Sequence, residues 1–219
     1  MQVDGDSSDS ASMPNPSDED SPGEELNQGE VTKPRSSASL ILLRDSAAGP
    51  EVLLVKRNPQ LRFMGAAWVF PGGATQVEDR DERATARREL EEEAGIGLPG
   101  DSELVRYSRW ITPAEVSRRF DTHFFVAKAP QGAEAAIDGV ECVDARWIRP
   151  RDALAAGARG ELLLVFPTMK QLEQLAEHES VSKALETARG RKVAPVAPRV
   201  LVDGGVAQVL LPGEAGYDA

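Results

Sequence analysis

Phe70-Pro71-Gly72-Gly73, followed fourteen residues later by Arg88-Glu89-Leu90-Glu91-Glu92-Glu93-Ala94-Gly95-Ile96, is the stretch on which the reading of this chain turns. Four acids fall within five residues after a glycine turn. At 3.6 residues per turn, Glu89, Glu92 and Glu93 stand at i, i+3 and i+4, so their carboxylates share one helix face while Glu91 points elsewhere. Like charges so placed repel unless a cation joins them. Hard oxygen ligands suit Mg²⁺ or Mn²⁺, which proteins commonly hold with carboxylates together with substrate phosphates. The plain alternative is a solvated acidic helix face.

The surroundings favour the cation. Asp79-Arg80-Asp81-Glu82 has the composition of a capping box, Ala86, Leu90 and Ala94 form a narrow apolar stripe, and Gly95 supplies a helix stop. These features predict a short helix docked by one face. Arg88 directly precedes the acids, and the paired glycines of the turn let backbone approach a ligand closely.

Residues 72–96 resemble the Nudix box, G-x5-E-x7-R-E-U-x-E-E-x-G-U, where U is aliphatic. Arg88-Glu89-Leu90, Glu92-Glu93 and Gly95-Ile96 match every fixed position of its second half. In the first half, strict counting back from Arg88 meets Arg80 and Ala74 where glutamate and glycine are expected. One inserted residue restores the pattern from Gly73 to the acid Asp79, with eight residues rather than seven before Arg88. The resemblance implies an α/β fold, a Nudix-type α/β/α sandwich with a mixed sheet.

Composition bounds what else the chain can be. It has 219 residues, enough to bury a sizeable core, and a single cysteine, Cys142, which rules out an internal disulfide. Cys142 lies in an apolar run and reads as a small core residue rather than a nucleophile. No apolar run approaches the roughly 20 residues of a membrane span, and no secretory leader is recognisable. A cytoplasmic location is expected. The net charge of −11 is concentrated at one end, where residues 1–30 hold nine acids and no Lys or Arg. The rest carries 27 acids against 25 bases, with no basic stripe for nucleic acid. Residues 1–35, rich in Ser, Asp, Glu, Pro and Gly, are expected to form a disordered acidic tail.

Short β-prone runs at Ser37–Leu43, Glu51–Lys56, Ala66–Phe70, Glu103–Ile111, Thr122–Ala127, Glu141–Trp147 and Glu161–Val165 alternate with the box helix and a helix near Arg151–Ala156. This order fits a mixed α/β sandwich better than a regular parallel series. Leu172 and Leu175, then Val181, Ala184 and Leu185, predict a C-terminal helical extension over about 167–190. Residues 194–212 read as two last strands. The expected organisation is therefore the tail followed by a Nudix hydrolase domain over 36–219.

Leu53-Leu54-Val55-Lys56-Arg57, Arg62 and Phe70-Pro71-Gly72-Gly73 are similar to the coenzyme A diphosphatase signature L-L-T-x-R-[SA]-x3-R-x3-G-x3-F-P-G-G. Val55, Asn58 and Ala66 depart from it. Further stretches, Trp110-Ile111-Thr112-Pro113, Arg118-Arg119-Phe120-Asp121-Thr122 and Phe166-Pro167-Thr168, resemble longer members of the peroxisomal type. The chain does not end in a peroxisomal tripeptide of the S-K-L type.

The resemblance implies hydrolysis of a nucleoside diphosphate linked to another moiety, with coenzyme A or an acyl derivative leading. ADP-ribose, NADH or a dinucleoside polyphosphate stand as alternatives, and a non-catalytic nucleotide-sensing module as a different class. It implies Mg²⁺ or Mn²⁺ held by Glu89, Glu92, Glu93 and the Gly73 carbonyl, with Arg88 orienting a box glutamate and Glu92 or Glu93 handling the proton. Glu134 and Glu141 lie outside the box and leave the general base open. Arg57 and Arg62 would serve as phosphate clamps by charge and shape, the plain alternative being pairs with surface acids, with Phe70 and Arg119 as further substrate contacts. The expected partners are a small-molecule nucleotide and, for assembly, at most a second copy in a homodimer, with neither nucleic acid nor membrane.

Overall fold

The computed structural model describes residue 27 and residues 29–61, 63–203 and 206–218. The expected tail up to residue 26 and the expected clamp Arg62 lie outside them. The tail expectation needs correcting at its end, because Asn27 N–H donates to the Glu115 carbonyl (2.6 Å) and Thr32 Oγ1 to that of Ser117 (2.9 Å). The backbone is then already in a strand at Arg35.

That strand, β1 (Arg35–Ser46), is the spine of the molecule. Its side chains alternate between two cores as the two-residue period requires. Ala38, Leu40 and Leu42 enter one apolar cluster, and Ile41 and Leu43 enter the other. Full burial of each such Leu or Ile contributes about 1.5–3 kcal/mol.

Around β1 lie β2 (Gly49–Arg57), β3 (Trp68–Val69), β4 (Gly72–Ala74), β5 (Val105–Ile111), β6 (Phe120–Lys128) and β7 (Cys142–Ile148). The sheet order is β3-β2-β1-β6-β5-β8, with β8 at Pro195–Val196, while β4 pairs with β1 and β7 with β2. The sheet is mixed, since β1 runs parallel to β6 but antiparallel to β2 and β4. Helix α1 (Glu82–Ala94) packs on one face through Ala86, Leu90 and Ala94. Helices α2 (Pro150–Ala158), α3 (Phe166–Leu175) and α4 (Val181–Gly190) cover the other through Ala153, Leu172, Leu175, Val181 and Ala184. This is the expected α/β/α sandwich.

Several local readings change. Gly72-Gly73 is not only a turn: Gly72–Ala74 pairs antiparallel with Ser37–Ser39. A Cβ on Gly72 would stand 2.6 Å from the Ala38 carbonyl oxygen, so only glycine lets the strand come this close. Glu161–Val165 forms no ladder, only a single bridge from Leu164 to Trp68. The last segment carries β8 and a separate two-stranded ribbon, β9 (Arg199–Asp203) and β10 (Val206–Leu210), rather than two strands. Cys142 is fully buried, and desolvation pushes its thiol far above the ordinary range, as suits a core residue. No helix among the described residues is long and apolar enough to cross a membrane.

Candidate active site

Helix α1 begins at Asp81, whose side chain accepts a bond from Ala84 N–H (2.9 Å). The N3 position is therefore Ala84, so Asp81 is a simple cap without the reciprocal arm of a capping box. The helix ends at Gly95, left-handed at φ 65°. Between these ends the stripe of Ala86, Leu90 and Ala94 turns Glu89 and Glu93 inward toward β4, while Glu92 faces solvent. The three acids are thus neighbours in very different surroundings.

Glu93 is the most confined, at 2% exposure. Its Oε2 accepts from Gly72 N–H at 2.9 Å, and its Oε1 is buried without a hydrogen-bond partner, 3.8 Å from Arg57 Nη1. Burial pushes this carboxyl up to about 8, against the opposing pull of the Gly72 amide and Arg57. Glu89 is also pushed upward by burial, against the pull of Arg88. Its carboxylate lies against Gly73, where an added Cβ would come within 2.6 Å of the Glu89 Cδ. The glycine pair is therefore the lid of the acid cluster, touching it directly.

Arg88 ties the cluster together. Its Nη1 donates to Glu89 Oε1 and Glu92 Oε2, both at 2.8 Å, and its Nη2 to the Ala74 carbonyl at 3.2 Å. Its other edge makes a bidentate pair with Asp79, Nε to Oδ1 at 3.1 Å and Nη2 to Oδ2 at 2.9 Å. This pair holds the Asp79 carboxyl down at about 2 and raises Arg88 above its already high value. The first acid of the irregular half-box, reached in sequence only by allowing an insertion, is thus the anchor of the arginine.

Does this arrangement fit a divalent cation? One oxygen each of Glu89, Glu92 and Glu93 is left over by Arg88 and by the Gly72 amide, and the Glu93 oxygen has no hydrogen bond, only the Arg57 guanidinium at 3.8 Å. The donor chemistry is that of a hard cation. The grouping is not a finished cage, since among the described residues no three such side chains are gathered closely enough to hold a metal. The half-exposed Glu92 would have to share itself between Arg88 and the ion.

The carboxylates back onto a cleft of about 610 Å³ whose wall they do not themselves line. Gly72, Gly73 and Ala74 form its floor beside Arg57 and Glu141. Its apolar side includes Phe63, Phe70, Trp110, Phe120 and Phe166, with Phe63 and Phe120 rings 5.6 Å apart and Trp110 edge-on to Phe166 at 6.1 Å. The segment ahead of the floor is bent at Met64 (φ 51°) and Ala66 (φ 63°). Ala66 stands where the coenzyme A diphosphatase signature has glycine, and a left-handed conformation is the reason for a glycine there.

Each expected site residue other than Arg62 can now be placed. Glu89, Glu92, Glu93, Arg88 and Gly73 come together. Arg57 lines the cleft but is engaged by Glu93 and, at 3.4 Å, by Glu141. Phe70 lines the cleft while buried in the core. Arg119 does not line it: its guanidinium donates to the carbonyls of Thr112 (3.1 Å) and Thr32 (2.8 Å). Arg118 and Phe120 on either side of it line the cleft instead. Of the two acids outside the box, Glu141 faces the cleft, its loop held by Asp138 accepting from the amides of Val140, Glu141 and Cys142. Glu134 pairs with Arg44 and is not among the cleft residues. The sequence points to Asp79 as the first acid of the box, to Glu141 as one of two acids outside it and to Arg118 beside Arg119, but not to the roles of arginine anchor and cleft wall.

A mixed sheet between helix layers, with a glutamate helix docked behind a glycine strand, is the architecture the box resemblance implies. The NUDIX domain model matches residues 33–167, more than half of the chain, which therefore belongs to the NUDIX family. It is similar to a Caenorhabditis elegans protein provisionally named nudix hydrolase 7, at 30% identity over 190 residues, covering 68% of this chain and 63% of that protein. It is similar also to the human acyl-coenzyme A diphosphatase NUDT19, at 29% identity over 119 residues, covering 52% and 32%. The chain thus spans less than two thirds of the length of either relative. Among solved structures it resembles a NUDIX hydrolase from Alicyclobacillus acidocaldarius, with a TM-score of 0.63 and 28% identity over 71% of this chain and 96% of that one.

Proposed function

We propose that this protein hydrolyses the diphosphate linkage of a nucleotide joined to a second moiety, with coenzyme A or an acyl-coenzyme A as its substrate. The observation that carries the reading is the buried pair Glu89 and Glu93, the latter with one oxygen lacking a hydrogen bond, packed directly behind Gly72-Gly73 at the floor of a cleft large enough for a nucleotide. Similarity to a protein named as an acyl-coenzyme A diphosphatase supports the substrate, as does the apolar wall of Phe63, Trp110, Phe120 and Phe166 for a pantetheine or acyl arm.

In this reading Glu89, Glu92, Glu93 and the Gly73 carbonyl hold Mg²⁺ or Mn²⁺. When bound, the ion neutralises the diphosphate and lowers the pKa of a water. Arg88, anchored on Asp79, sets the angle of Glu89 and Glu92. Glu141, the cleft carboxylate outside the helix, accepts the proton of the attacking water. Arg57 spaces Glu141 from Glu93. We place the enzyme in the cytoplasm, on its single buried cysteine.

The test is a Mg²⁺ and Mn²⁺ hydrolysis panel of coenzyme A, an acyl-coenzyme A, ADP-ribose and NADH, with products followed by mass. Coenzyme A derivatives should lead, and Glu93→Gln should cost at least about 100-fold in kcat. A Glu93→Gln protein with full metal-dependent turnover would sink the mechanism, and preference for ADP-ribose would replace the substrate.

A further inference from the structure

Three of the four charged residues that line the cleft are arginines: Arg35, Arg57 and Arg118, against Glu141 alone. Arg57 is committed, lying between Glu93 and Glu141. Among the described residues no carboxylate pairs with Arg35 or Arg118. The guanidinium of Arg118 instead rests 5.5 Å over the Phe63 ring, which itself meets Phe120. The neighbouring cations differ, since Arg109 is bidentate to Asp121 and Arg119 is spent on two carbonyls.

Topology brings the two uncommitted arginines to one end of the cleft. In the parallel β1–β6 ladder Arg35 stands opposite Phe120, two residues from Arg118. The same strand β1 carries the floor, with Ala38 opposite Gly73 and Ser39 opposite Gly72. Three to four residues of strand separate the ends, about 10–13 Å. A ribose with a long arginine side chain reaching toward it bridges that span. The geometry therefore offers one anion-handling centre at the carboxylates, through a cation, and a second, purely guanidinium centre a nucleoside away.

We propose that Arg118, with Arg35 beside it, forms a second anion subsite that holds a phosphomonoester of the substrate and so selects nucleotides bearing a phosphate beyond the diphosphate. For coenzyme A that group is the 3′-phosphate. Planar guanidinium forks match phosphate oxygens, and the Phe63–Phe120 pair beneath Arg118 supplies an aromatic platform for the base. Arg118 and Arg35 are binding residues here, remote from the bond that breaks. The inference rests on the cleft being the diphosphate-hydrolysis site proposed above.

Two measurements on the full chain test it separately from that reading. In the first, kcat and KM are determined with Mg²⁺ for coenzyme A and its 3′-dephospho form. The wild type should show a KM roughly tenfold lower for coenzyme A. Arg118→Ala and Arg35→Ala should each raise that KM several-fold with kcat within about twofold, shrinking the difference between the substrates, and Arg118→Lys should restore part of it. In the second, titration calorimetry without metal compares adenosine 3′,5′-bisphosphate with adenosine 5′-monophosphate. The bisphosphate should bind about tenfold more tightly to the wild type, and the advantage should vanish in Arg118→Ala. Equal affinity for the two nucleotides in the wild type, or an undiminished preference in both alanine variants, overturns the subsite even if coenzyme A is cleaved. Loss of turnover on coenzyme A with the calorimetric preference intact would instead remove the proposed substrate and leave the subsite standing.

Discussion

Gly72 and Gly73 are adjacent and chemically identical, yet they guard different things. A Cβ on Gly72 meets backbone, the Ala38 carbonyl and the Ser39 Cα at 2.6 and 2.7 Å. Backbone on a central strand cannot step aside, so Gly72→Ala should cost about 3 kcal/mol and show a clearly lowered melting temperature. A Cβ on Gly73 meets first the carboxylate at the far end of Glu89. That carboxylate can rotate, at the expense of its position and its bond to Arg88. Gly73→Ala should therefore fold almost as well as wild type while losing about 100-fold in kcat, the scale of a misplacement of about 1 Å. Equal damage to stability by both substitutions would show that Gly73 is a packing residue rather than part of the site. Glycine as a turn former was legible in the sequence; which neighbour each glycine admits was not, because Ser39 and Glu89 are far away along the chain.

At the scale of elements, the connection from β4 to α1 is held largely by one side chain. Asp79 accepts from Gln76 N–H at 2.9 Å, from Thr85 Oγ1 at 3.0 Å and from two Arg88 nitrogens, joining loop to helix. Its folded pKa of about 2 lies below the ordinary 3.8. A depressed acid contributes stability that is complete above its unfolded value and is lost as pH falls through the folded one. Melting curves between pH 5 and 2 should therefore drop more steeply for wild type than for Asp79→Asn. At neutral pH that variant should be less stable by roughly 2 kcal/mol. Parallel curves would mean the pair carries no net stability. The helix itself was plain in the sequence, because cap, stripe and stop are all local. The extra residue in its approach obscured the motif, and the structure shows that Asp79 still reaches Arg88 across the longer loop.

At the scale of the whole molecule, a cation that completes the acid cluster would stabilise the fold. The fold leaves Glu93 buried, one oxygen orphaned, its carboxyl pushed up to about 8. A ligand that binds only the native state at a hundred times its Kd adds about 2.7 kcal/mol. For a domain of this size Mg²⁺ or Mn²⁺ should raise Tm by roughly 5–10 °C, reversibly with a chelator. Glu93→Gln should respond much less. An identical shift in both proteins would locate the binding elsewhere.

The sequence by itself determined the glutamate helix, the strand run over 37–43, and the helical layer after residue 166, because each is written in spacings of a few residues. The glutamate helix and the glycine turn ahead of it carry the family resemblance. Only the tertiary structure decided which arginines face the cleft, that Glu141 and not Glu134 joins it, and that Asp79 anchors Arg88. Each of these depends on pairings between strands and loops remote in sequence. Parallel register puts Arg35 beside Phe120, and bonds to the Thr112 and Thr32 carbonyls hold Arg119 away while Arg118 lines the cleft. Short-range periodicity selects the element, whereas the long-range ladder selects the face each side chain shows to the substrate.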